Sequence, residues 1–222
     1  MNAPFANPAA GATTGNVADA AHRAVSIRVW DLPTRVFHWG LVSCFAGAWL
    51  TAESERWRDV HVMLGYTLIG LVAFRVLWGF AGSRYARFRS FLFGPAAVWR
   101  YLRSILSGTP QHFSGHNPVG ALAIFALLGL GVLASLSGVV VYEDIGGEWL
   151  EEVHELAAAA MLALAGMHVA GVVASGALHR ENLVRSMVSG WKRGHPDDGI
   201  PGMRTVAGVL LLAAVAWFWW AW

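Results

Sequence analysis

Five apolar stretches set the strongest constraint on how this chain can fold. They cover residues 36–52, 60–81, 118–142, 153–175 and 205–222. A helix needs about 20 predominantly apolar residues to cross the hydrocarbon core of a bilayer, and most of these stretches come near that length. Charged residues make up 14% of the chain, whereas a soluble domain carries roughly 25%. The sequence therefore predicts an all-α protein embedded in a membrane.

The segments outside these stretches divide the chain into three parts. Residues 1–27 are rich in Ala, Asn, Gly and Thr and lack the basic start and apolar run of a signal peptide, so they are predicted to form a flexible tail. Residues 28–194 hold the first four stretches and form the main transmembrane domain. Residues 195–222 form a linker and a C-terminal apolar helix. In the long connection after the second stretch, apolar residues recur at helical spacing from Pro95 onward, which predicts an amphipathic surface helix or a plain connecting helix.

The basic residues predict the orientation in the membrane. Thirteen of the 16 Lys and Arg residues lie in the segments 1–35, 82–117 and 176–204, which alternating topology places on one side. By the positive-inside rule this side is predicted to be cytoplasmic, which gives a multi-pass protein with a cytoplasmic N-terminus. The opposite side is acidic. Its loops carry Glu53, Glu55, Asp59, Glu143, Asp144, Glu148, Glu151 and Glu152. A net charge of +2 is too balanced to favour a nucleic-acid partner.

Four histidines lie in the apolar stretches, where ionisable residues are costly and mark functional sites. His154 and His168 are 14 residues apart, so they share one helix face and are separated by about 21 Å along the axis. His38 lies near the inner start of the first helix, and His61 lies near the outer start of the second. The spacing therefore predicts an inner pair, His38 and His168, and an outer pair, His61 and His154.

A pair of facing imidazoles is suited to the two axial positions of a haem iron in a helix bundle. Zinc favours four ligands, and each level offers two. The chain has a single cysteine, Cys44, which excludes the Cys-x-x-Cys-His signature of covalently attached haem. The four histidines therefore predict two non-covalent b-type haems, each with two histidine ligands to iron.

Two arginines are candidates to bind the propionates of the inner haem. Arg75 follows His61 by 14 residues, so it lies on the same helix face at the inner level, and a buried arginine needs an anion. Arg35 precedes His38 by three residues and is the second candidate. Four glycines could let a flat macrocycle approach the backbone or could pack helices together. They are Gly65, Gly70, Gly166 and Gly171.

The loop histidines His112, His116, His179 and His195 are predicted to lie at the surface. The loop at His116 and Asn117 is also a weak candidate for contact with a quinone or a propionate. The carboxylates of the outer loops predict a solvated face or a docking surface for a partner.

These residues and spacings resemble the prokaryotic cytochrome b561 family, which includes the b-type cytochrome subunits of nickel–iron hydrogenases. The matching stretches are VWDLPTRVFHWGL at 29–41, DVHVMLGYTLIGLVAFRVLWGFAG at 59–82, GHNPVGA at 115–121, HELAAAAMLALAGMH at 154–168 and LHRENLVRSMVSGWKRG at 178–194. The resemblance implies a four-helix bundle with two b haems, ligated from the first, second and fourth helices by His38, His61, His154 and His168. The stretch at 205–222 departs from the minimal form and is predicted to be either a fifth transmembrane helix or a helix that docks a partner.

The resemblance also implies a function. Such cytochromes move electrons between the membrane quinone pool and a partner protein, such as a c-type cytochrome or a hydrogenase, in a respiratory chain. The protein would then be an electron-transfer cytochrome and a component of a quinone oxidoreductase. Two alternatives remain: a membrane transporter that passes metal ions or protons along its histidines without haem, and a passive anchor whose haems are structural.

Overall fold

The computed structural model describes residues 25–222, so residues 1–24 of the predicted tail lie outside the described part. The first element is a strand, β1 (Val25–Arg28), which pairs antiparallel with β2 (Trp191–Gly194). Val25 lies opposite Gly194, and Arg28 lies opposite Trp191. Residues 25–27 are therefore strand rather than tail, because their backbone groups pair with a segment about 165 residues further along the chain.

Residues 25–222 contain seven α-helices. They are α1 (Leu32–Thr51), α2 (Arg58–Ala81), α3 (Pro95–Leu106), α4 (Pro118–Tyr142), α5 (Glu148–His179), α6 (Leu183–Ser189) and α7 (Thr205–Ala221). Each of the five apolar stretches falls on one long helix, and the segment predicted from Pro95 forms α3. The described chain is thus predominantly helical, as predicted, with the β1–β2 pair in addition.

Two long helices begin at signals that are visible in the sequence. Asp31 accepts a hydrogen bond from the Thr34 N–H at the start of α1, and Asn117 accepts one from the Gly120 N–H at the start of α4. A proline occupies the first turn of both helices, where its missing N–H costs nothing.

Three helical segments of the described chain are long and apolar enough to cross a membrane. They are Glu55–Ala81, Pro118–Tyr142 and Glu148–His179. α7 is apolar but shorter, and α1, although 20 residues long, does not meet the same criterion. Thr34, Arg35 and His38 dilute the apolar character of α1. The chain is thus a multi-pass membrane protein in which a more polar helix packs against the apolar ones.

The long helices pack side by side in the order α7, α1, α2, α4, α5. Phe37, Cys44, Leu64 and Leu71 form the core between α1 and α2, and Leu211 of α7 joins them. α7 is fixed further along its length because the Trp219 indole N–H donates to Thr67 Oγ1 at 2.9 Å. The fifth apolar stretch therefore packs on the outside of α1 and α2.

The two ends of the bundle differ in construction. At the acidic face, α1 and α4 end and α2 and α5 begin, joined by short connections. The eight carboxylates named above lie in these connections and in the first turns of α2 and α5. At the basic face, the β1–β2 pair covers the helix ends. There, Val29, Trp30, Tyr85 and Ile200 form a second buried cluster, so this end of the bundle is closed by packed structure rather than by loops.

Candidate functional site

His61 and His154 lie together near the acidic face. His61 is near the start of α2 and His154 is in the second turn of α5. Their ring centroids are 6.2 Å apart, and the ring planes are inclined at 77°. The two helices are not neighbours in the packing order, so the histidines meet across the interior of the bundle.

Both rings are held through the same nitrogen. His61 Nδ1 donates to the Ala48 carbonyl of α1 at 2.9 Å, and His154 Nδ1 donates to the Ala134 carbonyl of α4 at 2.8 Å. A carbonyl oxygen only accepts, so each Nδ1 carries the proton and each Nε2 keeps a free lone pair. Metal-ligating histidines are oriented in this way, by a hydrogen bond from the ring nitrogen that does not bind the metal.

The geometry of this pair fits one metal ion between the two rings. Two imidazoles on opposite sides of a metal, at the roughly 2 Å of a metal–imidazole bond, have centroids about 6 Å apart. In the described part of the chain, no group of three or more His, Cys, Asp or Glu side chains is arranged to hold a metal. Two histidines therefore need further ligands from a cofactor, and the four porphyrin nitrogens of a haem supply them.

Gly138 of α4 brings the backbone against the His154 ring. A Cβ atom at this position would lie 2.8 Å from His154 Cε1 and 3.0 Å from Nδ1, which is closer than real Cβ atoms approach. Glycine is therefore required for α4 to support the ring. Sequence analysis missed this residue because the contact joins positions that are 16 residues apart on two different helices.

The four glycines singled out in the sequence do not pack helices together. A Cβ atom at Gly65, Gly70, Gly166 or Gly171 would meet no atom within 4 Å. Gly65 and Gly171 share a helix face with a histidine, at about 40° from His61 and about 60° from His168. Gly70 and Gly166 point about 160–180° away from those histidines. Gly65 and Gly171 thus fit the close approach of a macrocycle, and the other two do not.

His38 and His168 lie toward the basic face and are both half-buried. They are not in ring contact in the described part of the chain, but each would lower the pKa of His116 if it were protonated, which places the three imidazoles in one region. His38 Nδ1 is buried and has no hydrogen-bond partner among residues 25–222. This pair is therefore less fully oriented by the protein than His61 and His154.

His116 belongs to this region and is half-buried, rather than lying at the surface as the sequence predicted. Its ring centroid lies 4.5 Å from that of Phe91 and 4.8 Å from that of Trp30. Its Nδ1 atom is buried and has no partner among residues 25–222. Burial lowers the pKa of His116 to about 3, and the positive charge of Arg75 adds to this effect. His116 is therefore a neutral imidazole. The one feature of the sequence that could have indicated this position is that His116 directly precedes Asn117, the N-cap of the apolar helix α4.

The other loop histidines largely follow the prediction. The side chains of His112 and His195 are 45% and 53% exposed. His179 is half-buried and packs edge-on against His112, with ring centroids 5.4 Å apart. His112 and Lys192 both contact Glu181, at 2.9 and 3.0 Å. These residues form a polar network at the basic face.

Arg75 is buried at the basic-face end of α2, with 3% exposure. Its guanidinium carbon lies 4.8 Å from the centroid of the Phe88 ring and 5.8 Å from that of Phe91. Its Nη1 atom is buried and has no hydrogen-bond partner in the described chain. A buried, always-charged group with a free donor fits an anionic ligand such as a haem propionate.

Asp31 is a functional candidate that sequence analysis did not identify. It is fully buried, and it accepts hydrogen bonds from Thr34 N at 2.9 Å, Trp78 Nε1 at 3.0 Å and Ser83 N at 3.4 Å. Its charge also acts on Arg75. The Asp-Leu-Pro sequence marks a helix cap, but the sequence gives no sign that the cap also places a carboxylate near Arg75.

Arg35 has a different environment from Arg75. Its Nη2 atom donates to the Val188 carbonyl at the end of α6, so the residue links α1 to α6 at the basic face. Its Nε atom is buried and has no partner among residues 25–222. Only part of the guanidinium is thus free for a ligand.

Fold and site together define a helical membrane protein in which two imidazoles, those of His61 and His154, meet across the interior of the bundle. The sequence profile of the family described as prokaryotic cytochrome b561 matches residues 29–190. The chain therefore belongs to the prokaryotic cytochrome b561 family, whose members are membrane b-type cytochromes of electron transfer and bind haem b.

Similar curated proteins are described as probable Ni/Fe-hydrogenase B-type cytochrome subunits. The protein from Azotobacter vinelandii is 27% identical, over 81% of this chain and 93% of the relative. The protein from Rhodobacter capsulatus is 24% identical, over 90% of this chain and 97% of the relative. The hydrogenase 1 subunit from Escherichia coli K12 is 25% identical over 54% of this chain and 62% of the relative. No solved structure matches the chain.

Proposed function

We propose that this protein is a di-haem b cytochrome of the bacterial inner membrane that carries electrons between the quinone pool and a redox partner protein. The observation that carries the proposal is the His61–His154 pair. Its centroid separation of 6.2 Å fits one iron, and both Nδ1 atoms donate to backbone carbonyls. When bound, haem supplies one-electron chemistry, because its iron alternates between two oxidation states.

At the acidic face, His61 and His154 would be the axial ligands. Ala48 and Ala134 fix both rings through their carbonyls, and Gly138 gives α4 room beside His154. With His61 and His154 both holding the iron, the haem would supply electron transfer rather than oxygen binding.

At the basic face, His38 and His168 would be the axial ligands of the second haem. Arg75 provides a buried positive charge for a propionate, and Asp31 balances that charge without an ion pair closer than 4 Å in the described chain. The two sites are separated by about 21 Å along α5, so together they span most of the membrane thickness of about 30 Å.

The names of the relatives favour a hydrogenase as the redox partner, with a c-type cytochrome as a further candidate. With the basic face cytoplasmic by the positive-inside rule, the partner would dock on the acidic face, outside the cytoplasm. His61 and His154 would hold the haem nearest that partner, and His38 and His168 would hold the haem toward the cytoplasmic face.

The test is the reduced-minus-oxidised visible spectrum of the purified protein, with haem counted per chain. We expect two haems per chain, both reducible by a quinol or by a partner protein. Protein that purifies without haem would refute the proposal and favour a histidine-based transporter. Two haems that neither a quinol nor a partner can reduce would instead indicate a passive anchor.

A further inference from the structure

We propose that Arg75 and His116 together form a two-donor site for a single carboxylate, a propionate of the haem held by His38 and His168. The inference rests on the proposed function and deepens it, because it adds His116 to the haem site and gives Arg75 a shared ligand. Neither the family nor the relatives' names assign a role to His116.

The first observation is an unused donor on Arg75. The side chain is 97% buried, and its Nη1 atom has no partner in residues 25–222. No acidic side chain of the described chain lies within ion-pair distance of it. Asp31 lies near enough to act on its charge, but the Asp31 oxygens already accept from Thr34, Trp78 and Ser83. The guanidinium therefore has its charge balanced while a hydrogen-bonding position stays free.

The second observation is independent and lies on another element. His116 reaches the same region from the loop before α4, and its buried Nδ1 atom also lacks a partner among the described residues. Phe91 contacts both groups: its ring centroid is 4.5 Å from that of His116 and 5.8 Å from the Arg75 guanidinium carbon. Two unsatisfied polar groups thus lie around one aromatic side chain.

The chemistry of the surroundings selects the ligand. A buried polar atom without a partner costs about 1–3 kcal/mol, so two such atoms in one place indicate a group that satisfies both. Phe88, Phe91 and Trp30 supply apolar walls that exclude water. A carboxylate has two acceptor oxygens and a negative charge, which match one imidazole N–H and one guanidinium. A haem propionate places such a carboxylate at the edge of an apolar ring.

The experiment is a double-mutant cycle on the midpoint potentials of the two haems. Arg75→Leu removes the charged donor. His116→Phe removes the imidazole N–H but keeps an aromatic ring between Trp30 and Phe91. Each change leaves propionate charge less compensated, which favours oxidised iron. We expect each variant to lower the basic-face potential by about a tenfold change in the ratio of oxidised to reduced haem, or 59 mV for one electron.

The cycle separates a shared carboxylate from two separate contacts. If both donors bind one carboxylate, the shift in the double variant will differ from the sum of the two single shifts. Fully additive shifts would mean that the residues have different partners and would overturn the inference. His116→Gln keeps an N–H donor, so the potential of the basic-face haem should stay near its wild-type value. Loss of the basic-face haem in His116→Phe but not in His116→Gln would also support the site.

Two controls keep the outcomes distinct. His112→Phe alters an exposed histidine of the same loop and should leave both potentials unchanged, and the acidic-face haem reports in every variant whether the bundle is intact. If the protein binds two haems and His116→Phe changes neither midpoint potential, this inference is overturned but the proposed function is not. Wild-type protein without haem would overturn the proposed function as well.

Discussion

Gly138→Ala should weaken the acidic-face haem site by adding a single methyl group. The new Cβ would lie 2.8 Å from His154 Cε1, whereas ordinary contacts begin at 3.4 Å. The ring must therefore move by about 0.6 Å, against a tolerance of about 0.2 Å for metal–ligand distances. The movement also strains the 2.8 Å hydrogen bond from Nδ1 to Ala134. Loss of such a supporting contact typically lowers metal affinity 10–100-fold, and we expect an effect of that size.

The assay is haem affinity measured by titrating haem into the apoprotein, together with low-temperature spectra that resolve the two haems. Gly129→Ala is the matched control, because it makes the same change in the same helix and its Cβ would meet no atom within 4 Å. Both variants gain the same helix propensity, about 1 kcal/mol, so the difference between them reports the contact with His154.

Two results would refute this reasoning. One is a Gly138→Ala variant that retains the acidic-face haem with wild-type affinity, since the ring would then tolerate the displacement. The other is an equal loss of haem in Gly129→Ala, since the effect would then come from the helix rather than from the histidine.

Three further predictions follow from the pairing, the buried carboxylate and the charge. His38→Ala and His168→Ala should lose the spectral component of the same haem. His61→Ala and His154→Ala should lose the component of the other haem. The pairing would be disproved if His38→Ala and His154→Ala lost the same component. Asp31→Ala should lower the free energy of unfolding by about 2–3 kcal/mol, because α1 loses its cap and buried donors lose their acceptor. Chemical denaturation in detergent measures this change, and an unchanged free energy of unfolding would contradict the buried position of Asp31. Electron exchange with a basic redox partner at the acidic face should slow as ionic strength rises, and a rate insensitive to salt would exclude steering by those carboxylates.

The helices and the separation of two histidine levels could be predicted from the sequence, because both depend on local periodicity. Apolar length located the long helices, and Asp31 and Asn117 marked two of their starts. The 14-residue spacing from His154 to His168 placed two imidazoles on one face of α5 without knowledge of the neighbouring helices. For the same reason, the sequence placed Arg75 at the level of His38.

The contacts that refine the site could not be predicted, because they join residues that are distant along the chain. His116 looked like a loop residue, and only the packing of Trp30 and Phe91 around it shows that it is drawn into the bundle end. Arg35 stood close to His38 in sequence, yet its guanidinium donates to Val188, 153 residues away. The sequence also could not show that no neighbouring helix packs against Gly65, Gly70, Gly166 or Gly171, since that depends on the packing of distant segments.

The pairing of β1 with β2 fixes the order in which this protein can be completed. Val25 leaves the ribosome early, but its partner Gly194 is synthesised only after the six helices α1 to α6. A contact over so long a sequence separation forms late in folding. Until it forms, the basic end of the bundle lacks the cover that β1 and Trp30 provide. A haem held by His38 and His168, as proposed, would therefore have to enter that end before β1 and β2 pair.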